Sequence, residues 1–263
     1  MYAFDYSRPG SVADADAALK ANPGAKLLAG GQTLIPAMKL RLASPGNIVD
    51  LGAIAALRGI TRSGAGLKIG AMTTHAAVAE SADVRAVLPG LAALAEGIGD
   101  PHVRNRGTIG GSVANNDPAA DYPAAVLALG ATVHTNKRTL AAEAFLKGLF
   151  TTDLAEDEIV TAIEFPGAEK FGYAKFANPA SRYALVGVAV AKTSGGVRVA
   201  VTGAGASGAF RWTAAEQALG ASFTAKALDG LKADASNLMS DIHADATYRA
   251  HLIGVMAKRA VGA

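Results

Sequence analysis

The stretch FGYAKFANPASRYALVGVAVAKTSGGVRVAVTGAG, residues 171–205, constrains the fold of this chain more than any other segment. It holds two long runs rich in β-branched and aromatic residues, broken at Ser194-Gly195-Gly196, and so predicts an antiparallel hairpin. The residues that follow, Thr213 to Ala263, read as helical in TAAEQALG, TAKALDGLKADAS and ADATYRAHLIGVMAKRAV. Strands followed by helices, without alternation, indicate an α+β unit and not a parallel βαβ sheet. The texture changes near residues 167–171, which predicts one mixed unit over residues 1–170 and a second over 171–263.

The first part has a different grammar. Ser11, with Asp14 three residues on, caps a helix that Gly24 can end. AKLLAGGQT reads as a short strand entering a turn at Gly30-Gly31, and NIVDL as a second strand. LIPAMKLRL between them is open to helix or loop. GITRSGAGLKIGAM predicts a hairpin around Ser63 to Gly66, and TTHAAVAES and LPGLAALAEGIG predict helices. YPAAVLALG is a further helix, with ATVHT and EIVTAIEFP as strands.

Composition removes several function classes. Hydrophobic residues make up 51% and charged residues 18% of 263, enough for a sizeable core and incompatible with disorder. The net charge is +3, and no basic tract exceeds Lys137-Arg138, so a nucleic-acid partner is not expected. There are no cysteines, hence no disulfide, thiolate metal site or cysteine-ligated iron–sulfur cluster in this chain. No apolar run is long enough to span a bilayer, and MYAFDYSRPG is no signal peptide, so a cytoplasmic protein is expected. The five histidines show no helical metal spacing, and neither a G-x-S-x-G elbow nor a P-loop occurs, so no metal and no hydrolytic residues are expected.

Three glycine turns remain. In AGGQT, Ala29 to Thr33, two glycines after a strand let the backbone take positive φ and expose successive N–H groups, either as an anion nest or as an ordinary turn. TIGGSVANNDPAAD, Thr108 to Asp121, repeats that logic with Ser112, and two nests suit two linked phosphates. There Asn115 and Asn116 offer amide donors. Asp117 before Pro118 reads as a helix N-cap, while Asp121 is an acceptor suited to a hydroxyl. The third turn, TGAGASG, satisfies G-x-G-x-x-G but exits a hairpin strand and opens no helix, so it is not read as a dinucleotide fingerprint. His75 begins a helix and reads as a cap or a ligand contact. Arg104 and Arg106 read as solvated or paired charge. Lys175 and Tyr183 flank a loop between strands and could meet an aromatic ring system or cover a sheet edge.

LLAGGQTLIPAMKLRL, IGDPHVRNRGTIGGSVANNDPAADYPA and YAKFANPASRYALVGVAVA, in this order, resemble the FAD-binding medium subunit of molybdenum hydroxylases, the group of carbon monoxide and xanthine dehydrogenases. The resemblance spans nearly the whole chain, down to RWTAAEQALG. It implies a two-part FAD domain of the p-cresol methylhydroxylase/vanillyl-alcohol oxidase type, with parts at about 1–52 and 53–167, followed by an α+β domain over 171–263. It implies noncovalent FAD, with the diphosphate cradled by the backbone of Ala29, Gly30, Gly31, Gln32 and Thr33 and of Thr108, Ile109, Gly110, Gly111 and Ser112, and with Leu34 and Asn115 also among the cofactor-binding residues. It further implies that Asp121 binds a cofactor hydroxyl and that His75, Val160, Lys175 and Tyr183 approach the flavin. The molybdenum cofactor and [2Fe–2S] clusters would belong to a large and a small partner subunit, in a heterotrimer or its dimer. The chain would then be an electron-transfer oxidoreductase subunit without catalytic acid–base residues. The rival readings are a self-contained flavin oxidoreductase and a nucleotide-binding scaffold without redox function.

Overall fold

The computed structural model describes residues 1–263. Strands β1 (Asp5–Ser7), β2 (Lys26–Leu28) and β3 (Asn47–Asp50) form a small parallel sheet in the order β1-β3-β2. Helix α1 (Val12–Ala21) makes the crossover from β1 to β2. Ser11 caps it by accepting from the Asp14 amide at 3.1 Å, and it buries Ala15 and Leu19, one turn apart, against Val49, Leu51 and Ile54. LIPAMKLRL resolves as helix α2 (Leu34–Lys39), followed by Arg41 at φ 61°.

A five-stranded antiparallel sheet comes next in sequence. It joins β4 (Ile60–Ser63), β5 (Gly66–Gly70), β6 (Thr132–Thr135), β7 (Thr139–Ala141) and β10 (Val160–Phe165) in the order β4-β5-β10-β6-β7. Between β5 and β6 the chain makes six helices: α3 (His75–Glu80), α4 (Ala82–Val87), α5 (Pro89–Glu96), α6 (Pro101–Arg106), α7 (Ile109–Asn115) and α8 (Tyr122–Leu129). A short helix α9 (Ala142–Phe145) and a two-stranded ribbon, β8 (Leu146–Gly148) with β9 (Thr151–Thr152), complete this part.

The C-terminal hairpin forms as its pattern predicts. Strands β11 (Lys170–Ala177), β12 (Ala184–Thr193), β13 (Gly196–Thr202) and β14 (Phe210–Arg211) make a four-stranded antiparallel sheet. All eight residues of α8 are buried, as befits a helix apolar on every side. Its core continues into Ala189, Ala191 and Ala200 of the sheet, while Val188, Val190 and Val199 pack with α10 (Thr213–Ala221) and α11 (Ala246–Val261). Covered on both faces, β12 shows a continuous apolar run instead of alternation. One expectation fails here. Beyond a 3₁₀ turn at Ala225–Leu228 the chain is irregular up to Asp245. Gly230 sits at φ 78°, and the Asp234 side chain takes the Ser236 amide, a local bond that competes with helix.

No helix is long and apolar enough to cross a membrane.

Candidate cofactor site

A cavity of about 750 Å³ opens between the parallel sheet, α7 and the β11–β12 turn. That size lies within the ~300–1,000 Å³ range of small-molecule and cofactor sites. Ala29 to Leu34 form one wall. Thr108, Gly110, Gly111, Ser112 and Asn115 form another, and Asp121, His75, Val160 and Tyr183 also face it. Of the residues that the resemblance assigned to the cofactor, Ile109 and Lys175 do not line it, and neither do Arg104, Arg106 and Asn116, which the sequence also singled out.

The first glycine turn is built as a nest. Gly31 takes φ 76°, and the backbone N–H groups of Gly30, Gly31, Gln32 and Thr33 donate to no acceptor in the chain. Unpaired amides in succession are costly unless water or a ligand takes them, and their summed dipoles favour an anion. Gly30 has a further reason to be glycine: a Cβ there would lie 2.1 Å from the Arg106 carbonyl oxygen and 2.8 Å from the Gly107 Cα. The turn is therefore seated directly on the segment that leads into α7.

The second glycine pair is different, and this corrects the expectation of two equivalent nests. Thr108 is the N-cap of α7, its hydroxyl accepting from the Gly111 amide at 3.2 Å. The amide of Ile109 donates to Thr73, that of Gly110 to Ala71, and that of Ser112 to Thr108. The amides of residues 109–112 are thus already paired. Ile109 sits in the core, and Gly110 is packed so closely that a Cβ would lie 2.4 Å from the Ala71 Cβ. Beside Gly110, Gly111 and Ala114, α7 and its cap bring three polar residues to the cavity, Thr108, Ser112 and Asn115, at helical spacing. Asn116 is not a free donor either. It ends α7 at φ 44° and gives its amide to Gly148 and Thr151 carbonyls at 2.7 and 2.9 Å.

Asp117 does not cap a helix. Its carboxylate accepts from the Ala119 amide at 2.9 Å in a local turn, and the helix begins only at Tyr122. Asp121 precedes that helix and is 5% exposed. It is not a free acceptor. Lys175 Nζ lies 3.0 Å from Oδ1 and 3.1 Å from Oδ2, and the Tyr173 hydroxyl donates to Oδ1. Burial pushes the Asp121 carboxyl above its ordinary range, against the opposing charge of Lys175. Lys175 itself stands in β11, where it reaches the Gly97 carbonyl at 2.8 Å, so it meets the site only through Asp121.

His75 starts α3 behind the cap residue Thr74 and is 5% exposed, with Nδ1 buried and unpaired. Burial, then the nearby Arg104, lowers its pKa to about 4, so the ring is neutral at pH 7. Arg104 is engaged with the carbonyls of Ile98 and Gly99 at 3.0 and 3.1 Å. Tyr183, 44% exposed, stands at the cavity edge beside Arg182, which is held at φ 62°. Sequence reasoning missed Lys26, Ile98 and Glu158 on the cavity wall. All three lie inside stretches read from the sequence, AKLLAGGQT, IGDPHVRNRGTIGG and EIVTAIEFP, but no spacing rule there tells which side chain of a strand or turn will face a cavity.

A nest of free amides beside a cavity lined by a helix and an antiparallel strand suits a ligand that carries an anionic group, which defines a ligand-binding class of protein. Residues 2–168 match the family described as the FAD binding domain in molybdopterin dehydrogenase, and the chain belongs to that family. It is an oxidoreductase subunit, as the resemblance implied. Among its relatives are the carbon monoxide dehydrogenase medium chain of Hydrogenophaga pseudoflava, 37% identical over 99% of this chain and 96% of the relative, and the nicotine 6-hydroxylase medium subunit of Paenarthrobacter nicotinovorans, 35% identical over 98% and 96%. Among solved structures, reconstituted CO dehydrogenase from Oligotropha carboxidovorans superimposes with a TM-score of 0.91 at 37% identity, covering 98% of this chain and 96% of that one. The α+β architecture is thus shared along the full length.

Proposed function

We propose that this chain holds FAD noncovalently in the cavity and serves as the electron-transfer subunit of a molybdenum-containing hydroxylase or dehydrogenase. The four unpaired amides of Gly30 to Thr33, opening on a cavity of about 750 Å³, are the observation that carries this reading. They would hold the diphosphate from one side, with Thr108, Ser112 and Asn115 offering hydrogen bonds from the other. Val160 and Ile98 would keep water from the ring system, with Tyr183 at the rim. Bound there, FAD supplies chemistry that takes electrons one at a time and gives them up in pairs.

The donor in this reading is a [2Fe–2S] small subunit, and a molybdenum-binding large subunit oxidises the substrate, in a heterotrimer or its dimer in the cytoplasm. Support comes from the medium-chain and medium-subunit names of full-length relatives and from the absence of cysteine, which leaves this chain no cluster of its own. We divide the chain at about 1–52, 53–167 and 171–263; each part centres on one of three apolar clusters, although the first cluster also takes Ile54, Leu57, Met72 and Ile159 from the second part and the second cluster takes Ala189, Ala191 and Ala200 from the third.

Titration of the apo-protein with FAD, followed by flavin fluorescence, tests the first half and should saturate at one FAD per chain. Anaerobic stopped-flow tests the second. The isolated, FAD-loaded chain should show no flavin bleaching with organic substrates, whereas the complex should bleach. Rapid bleaching of the isolated chain would make it a self-contained oxidoreductase.

A further inference from the structure

Asp121 faces the cavity from the start of α8, yet its two partners reach it from the C-terminal sheet. Tyr173 and Lys175 are two residues apart on β11, so their side chains leave the same face of the strand. Both end on the Asp121 carboxylate at the start of α8. Lys175 supplies the compensating charge and is shared with the Gly97 carbonyl. Tyr173 supplies a second donor and no charge.

The neighbouring strand makes room for that hydroxyl. On β12, a Cβ at Gly187 would lie 2.3 Å from the Tyr173 hydroxyl oxygen. Any larger residue there would push the phenol away from Asp121. The other titratable groups around Asp121 are Tyr122 on α8, Tyr183 before β12 and Asp117 in the preceding turn. The Tyr122 hydroxyl is buried and has no hydrogen-bond partner, so it does not compete for the carboxylate. Burial, then the charge of Asp121, keeps the Tyr173 phenol protonated and therefore a donor.

We propose that Tyr173 is a positioning residue for the cavity: it holds the Asp121 carboxylate ionised and aimed, so that the C-terminal sheet sets how tightly the cofactor is kept without touching it. The inference rests on the reading of the cavity as an FAD site. Removing the phenol oxygen leaves a desolvated carboxylate with one donor fewer, and protonation then becomes easier.

The test is FAD titration of the apo-protein between pH 5 and 8, with melting curves alongside, for wild type, Tyr173→Phe, Gly187→Ala and Tyr122→Phe. At pH 7, Tyr173→Phe should bind FAD about tenfold more weakly, the loss expected of one hydrogen bond to a charged group. The pH at which affinity falls away should rise by about one unit. Gly187→Ala should shift the pH profile in the same direction with the phenol still present, which keeps the test alive if Tyr173→Phe does not fold. Tyr122→Phe should leave the profile unchanged. Wild-type affinity and wild-type pH profile in both Tyr173→Phe and Gly187→Ala would reduce Tyr173 to packing and overturn the proposal. Failure of the wild type itself to bind FAD would instead overturn the cofactor reading.

Discussion

The buried imidazole of His75 should make this protein sensitive to mild acid, through one identifiable residue. In the unfolded chain a histidine titrates near pH 6.5, while in the folded protein burial lowers His75 to about 4. Between these values the unfolded state binds a proton that the folded state refuses, so stability falls as the pH drops. The contribution is unchanged above pH 6.5 and is fully lost below about 4. At ~1.4 kcal/mol per unit, a gap of about 2.5 units costs about 3.4 kcal/mol, of which about 2 kcal/mol is already gone at pH 5. His75→Gln keeps a polar side chain of similar reach that does not titrate. Urea unfolding of apo wild type and His75→Gln at pH 7, 6, 5 and 4.5 measures the difference, and titrations common to both proteins cancel on subtraction. The wild type should lose about 2 kcal/mol more than the variant between pH 7 and 5. Parallel stability curves would refute the argument and place a protonatable, solvated imidazole at position 75.

Gly110→Val should cost more than about 1–3 kcal/mol of stability, because the new side chain meets the Ala71 backbone at 2.7 Å; a melting curve close to wild type would show that α7 can move off β5. Gly31→Ala should melt within a few degrees of wild type, since its Cβ meets only side chains that can give, Ile35 at 2.7 Å and Leu28 at 3.3 Å, yet retain FAD poorly after gel filtration because φ 76° is disfavoured once a Cβ is present. Glu158→Gln should lower stability by about 2 kcal/mol in a urea melt. The carboxylate accepts from Arg138 Nε and Nη2, both at 2.9 Å, from Thr135 and from the Ala155 amide, and a carboxamide cannot serve that many donors.

The order of chain segments and several of their roles are local properties, and these were legible. The hairpin across Ser194 to Gly196 follows from β-branched runs around a turn, and the burial of α8 from eight residues with no polar face. The Ala29 to Thr33 nest follows from two glycines after a strand, because φ 76° at Gly31 is a conformation that glycine adopts cheaply. The resemblance to FAD-binding subunits rested on such segments, and the family and full-length relatives agree with it. The second glycine pair looked the same in one dimension and proved different in three. Whether an amide is free depends on which carbonyl reaches it, and the acceptors for Ile109 and Gly110 are Thr73 and Ala71, more than thirty residues earlier. Asp121 likewise looked like a free acceptor until β11 brought Tyr173 and Lys175 onto it from 52 and 54 residues away. Backbone conformation answers to neighbours along the chain. The occupancy of a donor or an acceptor answers to neighbours in space, and packing alone supplies those.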